Sequence, residues 1–352
     1  MVFKEFTAEQ LKHIIEGKNA YERIPMIYDF WTPAERLGKD EARAVELMEV
    51  YPCDAQFIQI CMPDVSDAPA DDPEYKWLYR EQKKQESASY DAQILIEDWE
   101  ELDEIIAHFP DPKYPGIFKE KGKEDSRYKV ACWWYCFFER LWSLRRMENA
   151  LTDFYFYPDE VHRLFQKLTN FYMQVMERAK NELNADAIFT SDDIGTQTGP
   201  FFSEKIFVEF FKPYYKQLFD KAHSLDMHFW LHSCGNIELF LPHFIEIGLD
   251  VIHPIQKYTM EEARIAKLYG DKICIWAGFD VQKTIPFGTG DEVREEVRFM
   301  IDTYARKNGR FMLACGNRIT SDCSIDSFEA LLGESYDYGN EKMKNLVHAE
   351  EV

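Results

Sequence analysis

Met227-His-Phe-Trp-Leu-His-Ser-Cys-Gly-Asn236 is the stretch on which both the fold and the predicted site depend. It begins with apolar and aromatic residues that favour a β-strand, and it ends in Ser-Cys-Gly-Asn, where a strand would stop. Alternate side chains of a strand share a face, so His232 and Cys234 can point the same way as the strand leaves the core. An imidazole and a thiolate placed together are suitable ligands for zinc.

A second stretch, Phe311-Met-Leu-Ala-Cys-Gly-Asn317, has the same form. On its own, a His-x-Cys pair is more often a buried histidine beside an inert cysteine. Cys315 adds a third ligand, and three protein ligands with an open fourth position are what a catalytic zinc needs. The sequence therefore predicts a zinc site formed by His232, Cys234 and Cys315.

Working outward from these two stretches, short apolar runs alternate with segments of helical periodicity along the chain. The alternation implies parallel strands, and eight strand–helix units in ~250 residues or more indicate a closed barrel. A doubly wound sheet would usually show Gly-x-Gly-x-x-Gly after its first strand, and the chain has no such run. We predict an α/β fold, a (β/α)8 TIM barrel forming a single domain over residues 1–352. The eight predicted strands are 23–31, 56–62, 128–135, 186–193, 228–231, 250–256, 273–280 and 311–314.

Residues 63–127 interrupt this alternation after the second strand. An acidic run with prolines is followed by a polar stretch and then by an amphipathic segment at 94–109. No Gly/Ser-rich linker separates the region from the rest of the chain. We predict an inserted helical segment that packs beside the barrel or over its mouth.

The composition excludes several classes of partner. The formal net charge is −22, from 41 basic and 63 acidic residues, which argues against nucleic acid and against an anionic membrane surface. No apolar run approaches the ~20 residues of a membrane span, and the N-terminus lacks the pattern of a secretory signal. We therefore expect a cytoplasmic protein whose eight cysteines do not form a disulfide framework. A homodimer remains open.

In such barrels the functional residues lie at the carboxyl ends of the strands. The fourth and seventh predicted strands end in acidic residues, Asp193 and Asp280. Adjacent strand residues point to opposite faces, so Asp193 rather than Asp192 is expected to face the barrel mouth. Beside a zinc ion, such a carboxylate would hold a hydroxyl or water near a leaving oxygen. We predict that Asp193 and Asp280 are catalytic.

The remaining strand-end residues are predicted to contact the substrate. Aromatic rings at these positions suit an aryl group, with core packing as the alternative explanation. His253 precedes a proline, and its alternative role is a hydrogen bond to a backbone carbonyl. The predicted substrate contacts are Tyr28, Trp31, His253, Gln256 and Phe279.

Three blocks of the sequence resemble the uroporphyrinogen decarboxylase superfamily, whose members are (β/α)8 barrels. The blocks are Asp192-Asp-Ile-Gly-Thr-Gln, Leu231-His-Ser-Cys-Gly-Asn and Glu246-Ile-Gly-Leu-Asp-Val-Ile-His-Pro-Ile-Gln256. The decarboxylases of this superfamily carry Arg-Gln-Ala-Gly-Arg near the N-terminus. Here the corresponding place reads Tyr28-Asp-Phe-Trp-Thr-Pro-Ala-Glu-Arg36, which is aromatic and acidic.

The methyltransferase branch instead carries His-x-Cys and a later cysteine as zinc ligands, and the chain looks like that branch. The resemblance implies demethylation of a methoxylated compound, such as an aryl methyl ether, with methyl transfer to the cob(I)alamin of a separate corrinoid protein. Two other activities remain as alternatives: a methylcobamide:thiol methyltransferase of the coenzyme M type, and a decarboxylase like uroporphyrinogen decarboxylase. The alternative outside catalysis is a barrel that only binds a corrinoid or another ligand. The block that begins at Cys315 differs from the Pro-Gly-Cys-Gly pattern of coenzyme M methyltransferases.

Overall fold

The computed structural model describes residues 3–64, 67–77 and 96–348 of the chain. Within these residues, seven β-strands form one parallel sheet in which each strand pairs with the next strand along the chain. The order matches that of a TIM barrel, in which helices connect the parallel strands. The strands are β1 Ala55–Gln59, β2 Tyr128–Trp133, β3 Ala187–Ser191, β4 His228–His232, β5 Val251–His253, β6 Cys274–Phe279 and β7 Phe311–Cys315.

Residues 25–27 connect the two edges of this sheet. Met26 forms an isolated parallel bridge with Leu313 of β7. The Leu313 N–H donates to the Pro25 carbonyl at 2.9 Å, and the Ile27 N–H donates to the Leu313 carbonyl at 2.9 Å. On the other side, the Asp54 N–H just before β1 donates to the Met26 carbonyl at 2.9 Å. The sheet therefore curls into a barrel, as the sequence predicted.

The predicted length of the first strand, 23–31, is wrong, since the structure has only the Met26–Leu313 bridge in this region. Pro25 has no N–H to give to a neighbouring strand. The chain then turns sharply, with the N–H groups of Trp31 and Thr32 both donating to the Tyr28 carbonyl at 2.9 Å. The barrel thus has seven regular strands and one short connecting segment within the described residues.

Helices lie between successive strands and cover the outside of the barrel. Glu204–Ser224 is continuously helical, with a π-helical turn at Phe207–Phe211 between α7 and α8. Among the described residues, no helix is both long and apolar enough to span a membrane. The helices are α1 Ala8–Ile15, α2 Glu41–Val50, α3 Leu102–Ala107, α4 Phe138–Arg145, α5 Met147–Phe156, α6 Pro158–Leu183, α7 Glu204–Ile206, α8 Lys212–Ser224, α9 Leu241–Glu246, α10 Glu262–Tyr269, α11 Thr284–Phe287, α12 Gly290–Tyr304 and α13 Ile325–His348.

Aromatic side chains from four strands fill the barrel interior. Phe57 and Trp276 contact each other and both contact Phe189 and Trp230, and the Trp230 and Trp276 ring centroids are 5.4 Å apart. Because strand side chains alternate, residues an even number of positions beyond these rings also point into the barrel. The aromatic layer therefore fixes which strand-end residues face the mouth.

Part of the predicted insertion, 63–127, lies outside the described residues, including the start of the amphipathic segment at 94–109. The rest of that segment contains α3, preceded by a 3-10 turn at Trp99–Glu101. The Trp77 and Phe109 rings pack against Phe171 of α6, each with centroids 5.7 Å apart. The described part thus packs beside the barrel, and the single-domain organisation stays a prediction.

Candidate active site

The structure brings three residues capable of binding a metal together at the carboxyl ends of β3 and β4. Asp193, His232 and Cys234 each offer a ligand atom, and these atoms lie within 4.8 Å of one another. The His232 Nε2 atom is 3.3 Å from the Cys234 Sγ and 3.6 Å from the Asp193 Oδ1. His232 is buried, whereas Asp193 and Cys234 are partly exposed. We call this group the triad; its partial exposure leaves one side open to a ligand.

The ends of β3 and β4 are held together by their backbones. The Cys234 N–H donates to the Asp193 Oδ1 at 2.7 Å, which fixes the carboxylate beside the thiol. Gly235 has a φ of +85°, and a Cβ built on it would lie 2.3 Å from the backbone of Gly195. Only glycine fits such a close approach of two loops. The Gly that follows Cys234 in the sequence therefore allows the two strand ends to meet.

A hydrogen-bond relay determines which nitrogen of His232 is free for a metal. The His253 Nε2 atom lies 3.0 Å from the Cys315 carbonyl, which can only accept, so this nitrogen carries a proton. The two Nδ1 atoms of His253 and His232 are 2.7 Å apart. A neutral His253 must accept there, so His232 carries its proton on Nδ1. The lone pair of His232 is then on Nε2, directed at the other two members of the triad.

Burial keeps these groups neutral before a metal binds. It lowers the pKa of His232, against an opposing effect of the Asp193 charge, and it lowers the pKa of His253 well below the usual value. Burial, followed by the Asp193 charge, raises the pKa of the Cys234 thiol well above its usual range. A bound metal would displace the thiol proton. Imidazole, thiolate and carboxylate are ligands that zinc accepts, so the residues present fit zinc.

The relay predicts that His253 supports metal binding without being a ligand. In His253→Phe the ring can still stack on Trp31, whose centroid is 4.6 Å away, but the acceptor for His232 is lost. We expect zinc affinity to fall about 10–100-fold, as for other groups that orient a ligating histidine. Competition with a chromophoric chelator measures this.

The matched control is His162→Phe. His162 also stacks on an aromatic ring, with its centroid 4.5 Å from that of Phe210, and its Nδ1 lies 2.9 Å from the Tyr214 hydroxyl, on the outer helices. Its replacement should leave zinc affinity unchanged. Equal affinity in the His253 and His162 variants would contradict the relay.

Cys315, the third predicted ligand, does not join the triad. Within β6 and β7, Trp276 pairs with Met312, so Met312 and Ala314 share the inward face and Cys315 faces the helices. Burial is the main cause that raises the pKa of the Cys315 thiol well above its usual value. The nearby Cys323 and Glu296, which lies on α12, raise it further. Within the described residues the structure thus groups Asp193, not Cys315, with His232 and Cys234, and the Cys315 carbonyl accepts from His253. The part of Cys315 in zinc binding stays a prediction.

The two adjacent aspartates face opposite ways, as strand alternation predicts. The Asp192 carboxylate caps α4, accepting N–H bonds from Phe137, Phe138 and Glu139 at 2.8–3.1 Å and the Tyr215 hydroxyl at 2.5 Å. Burial raises the pKa of Asp192 to about 6, and these hydrogen bonds oppose the shift. Asp192 therefore holds the start of α4 in place.

Asp280 lies at the end of β6, but its carboxylate is already engaged. It accepts the Tyr258 hydroxyl at 2.7 Å and the N–H groups of Gln282 and Lys283 at 2.9 and 3.3 Å. Burial acts to raise the pKa of Asp280, but these hydrogen bonds lower it overall. Asp280 organises the loop after β6, and its predicted catalytic role gains no support from this geometry.

Of the two aromatic residues predicted to bind substrate before β1, only Trp31 lies at the triad. Its ring centroid is 5.1 Å from that of His232 and 5.9 Å from that of Trp134. Phe30 and Trp134 are partly exposed and stack 5.7 Å apart. We call Phe30, Trp31 and Trp134 the aromatic wall.

Tyr28 points away from this wall, so the structure does not bring it to the triad and its contact with substrate stays a prediction. Its hydroxyl donates to the Tyr51 carbonyl, and its ring packs 6.0 Å from that of Phe328 on α13. The turn at residues 28–32 directs Trp31 inward and leaves Tyr28 in the outer layer.

A small cavity adjoins Cys234 on the side of β5, β6 and β7. Its volume is about 60 Å³, and its lining includes Cys234, Gln256, Phe279, Asp280 and Asn317. Gln256 and Phe279, both predicted substrate contacts, thus line the same cavity as Cys234, although Phe279 pairs with Cys315 in the sheet. The Gln256 Oε1 accepts the Gly235 N–H at 2.6 Å, which steadies the loop that carries Cys234. The volume has room for roughly four water-sized groups, which suits the small end of a substrate.

The sequence did not single out Glu139 and Arg140, two charged residues that are buried on α4. Both are 6% exposed. The Ser191 hydroxyl donates to the Glu139 carboxyl at 2.5 Å. Burial raises the pKa of Glu139 well above its usual value, and the nearby Asp193 charge raises it further. Their signal in the sequence was a Glu-Arg pair within the otherwise aromatic and apolar run Trp133–Trp142.

Comparison with known structures supports the fold. A methyltransferase from Methanosarcina mazei superposes with a TM-score of 0.62 at 14% identity, covering 94% of this chain and 98% of that one. A psychrophilic endo-β-1,4-xylanase of glycoside hydrolase family 10 gives a TM-score of 0.42 at 8% identity, covering 88% and 96%. At 14% identity, the similarity to the methyltransferase concerns the fold alone. No curated protein is significantly similar in sequence.

A family comparison covers more than half of the chain. The family described as uroporphyrinogen decarboxylase (URO-D) matches residues 141–338, which include the triad and every strand from β3 to β7. The chain therefore belongs to the uroporphyrinogen decarboxylase (URO-D) family.

Proposed function

We propose that the protein is a zinc-dependent methyltransferase that demethylates a methoxylated substrate, an aryl methyl ether, and passes the methyl group to the cob(I)alamin of a corrinoid protein. The observation that carries this proposal is the position of the triad beside the aromatic wall. His232 contacts both Trp31 and Trp134, with ring centroids 5.1 and 6.1 Å apart. A substrate that reaches the open side of the triad would meet aromatic faces on which an aryl ring can stack.

Different residues would serve different parts of such a reaction. His232, Cys234 and Asp193 would hold the zinc, and a zinc ion there supplies Lewis acidity toward the ether oxygen. The aromatic wall would orient the aryl ring, and the 60 Å³ cavity beside Cys234 has the size for a methoxyl end. The methyl–oxygen bond would break with its electron pair left on oxygen, and the cob(I)alamin of a corrinoid protein would supply the nucleophile that takes the methyl group.

The ether oxygen must take up a proton when it loses the methyl group. Glu139 lies at the same strand ends, since it accepts the hydroxyl of Ser191, two residues before Asp193. Its raised pKa favours the protonated carboxyl, since burial and the neighbouring Asp193 charge both stabilise the neutral form. Glu139 is thus the group at the site best suited to hold this proton.

Two other activities remain outcomes of the test. A methylcobamide:thiol methyltransferase would use the same metal ligands with a thiol as acceptor. A decarboxylase that takes a porphyrinogen needs many cations for its carboxylates, and the one arginine of residues 28–36, Arg36, is exposed.

The deciding experiment mixes zinc-loaded protein with cob(I)alamin and a panel of aryl methyl ethers, and follows the absorbance change from cob(I)alamin to methylcobalamin. We expect turnover with at least one ether and release of the matching phenol. Turnover only when methylcobalamin and a thiol are supplied would replace this proposal with the thiol methyltransferase. Decarboxylation of a porphyrinogen without methyl transfer would replace it with the decarboxylase.

A further inference from the structure

Arg140, in the first turn of α4, is a buried cation for which the described part of the chain provides no ion pair. Its side chain is 6% exposed, yet among residues 3–64, 67–77 and 96–348 no carboxylate lies within 4.0 Å of its guanidinium. The Nε atom of Arg140 is buried without a hydrogen-bond partner. Arginine cannot lose its proton in a protein, and a buried unpaired charge is costly. The fold therefore holds this guanidinium ready for an anion that arrives from outside the chain.

Arg145, on the same helix, shows what a purely structural buried arginine looks like. Its guanidinium pairs with both oxygens of Asp153, at 2.8 and 3.0 Å. It also donates to the carbonyls of Ile96 and Glu97 at 2.6 and 2.9 Å. Arg145 thus uses the full donor fork that a guanidinium offers. Among the described residues, Arg140 has no such set of acceptors: its polar neighbour is the Tyr172 hydroxyl, and its Nε atom has no partner.

The immediate surroundings of Arg140 suit the carboxylate of an aromatic acid. The guanidinium carbon lies 5.1 Å from the ring centroid of Trp77 and 5.5 Å from that of Tyr135. The indole N–H of Trp77 is a second buried donor without an acceptor. Two unpartnered donors close together call for an acceptor with several lone pairs, and a carboxylate has them. The planar fork of arginine matches a carboxylate in geometry.

Chain connectivity ties this position to the triad. Tyr135 directly follows Trp134 of the aromatic wall, whose ring is 6.1 Å from that of His232. Glu139 directly precedes Arg140 and bonds to Ser191, two residues before Asp193. The backbone of Arg140 therefore lies near the end of β2, at the same rim of the barrel as the triad, and its guanidinium contacts Trp77 and Tyr135 there.

We propose that Arg140 binds the carboxylate of the substrate and thereby selects methoxylated aromatic acids over neutral aryl methyl ethers. This inference rests on the proposed function for the identity of the substrate, but the binding of an aromatic carboxylate can be measured without turnover. Arg140 would act as a specificity residue, with the bond-breaking chemistry left to the triad.

The test compares wild type, Arg140→Gln, Arg140→Lys and the control Arg146→Gln, which removes an exposed arginine just beyond the same helix. Calorimetry of zinc-loaded protein with 4-methoxybenzoate should show about 10–100-fold weaker binding in Arg140→Gln, the range for a lost charge-assisted hydrogen bond. Arg140→Lys should lie between wild type and Arg140→Gln, and Arg146→Gln should match wild type. In steady-state assays of Arg140→Gln, KM for the acid should rise, while kcat should change by no more than a few-fold. KM for 4-methoxybenzyl alcohol should stay constant.

The outcomes separate this inference from the proposed function. Binding of 4-methoxybenzoate that depends on Arg140, without methyl transfer, would support the carboxylate site and reject the demethylase. Wild-type protein that does not bind aromatic acids, or binds them as well after the Gln substitution, would overturn the inference. If Arg140→Gln fails to fold, as seen by circular dichroism, the comparison of Arg140→Lys with wild type decides.

Discussion

The Cys234→Ala variant is expected to lose zinc and to transfer methyl groups at least about 100-fold more slowly than wild type. Cys234 provides the thiolate of the triad, and its Sγ lies 3.3 Å from the His232 Nε2 atom. Without it, only one imidazole and one carboxylate would face the metal. Elemental analysis of the purified variant after dialysis measures the loss, and the cobalamin assay measures the rate.

Cys315→Ala is the informative companion of this variant. Because Cys315 faces the helices, we expect it to retain one equivalent of zinc, as should Cys132→Ala, a buried cysteine of β2 outside the site. Loss of zinc from Cys315→Ala alone would show that the end of β7 rearranges when metal binds. The ligand set implied by the family resemblance would then be right. Full zinc content in Cys234→Ala would reject the site altogether.

The central part of the site could be predicted because it depends on local alternation. His232 and Cys234 are two residues apart at a strand end, and Asp193 follows another strand in the same phase. These relations need only the period of a β-strand and the rule that barrel sites lie at the carboxyl ends of strands. The barrel itself could be predicted for the same reason, since the repeated strand–helix units are local patterns.

Cys315 could not be placed from the sequence because its stretch has the same form as that of His232. What differs is the register between β6 and β7, where Trp276 pairs with Met312 and turns Cys315 outward. A shift of one residue reverses the face of a side chain. Register of this kind is set by pairing across strands, which a single sequence does not display.

Glu139 and Arg140 were missed for a related reason. Charged residues in a helix are usually exposed, so an isolated sequence offers no ground to bury either one. Their burial comes from Ser191 on β3 and from Trp77, residues 52 and 63 positions away along the chain. Contacts between residues so far apart along the chain bury these two charged side chains, and only the folded structure shows such contacts.

Asp193→Asn and Asp192→Asn both exchange a carboxylate for an amide, but the first should affect zinc binding and activity, and the second should affect stability. Asp193→Asn is expected to weaken zinc binding and to lower methyl transfer by about 10²–10⁴-fold, while the protein stays folded. The amide oxygen can still accept the Cys234 N–H, but it is a poor metal ligand. The sequence alone predicted Asp193 as a catalytic group beside a zinc held by other residues, whereas its place in the triad makes it a candidate metal ligand.

Asp192→Asn should instead lower stability and leave the chemistry intact. The Asp192 carboxylate accepts three backbone N–H groups and the Tyr215 hydroxyl, and the amide nitrogen of asparagine cannot accept any of them. Each buried donor left unsatisfied costs about 1–3 kcal/mol, so the free energy of unfolding should fall by at least that amount. Urea unfolding, zinc analysis and the methyl-transfer rate per folded molecule distinguish the two variants. Normal stability with lost activity in Asp192→Asn would mean that the roles of the two aspartates are exchanged.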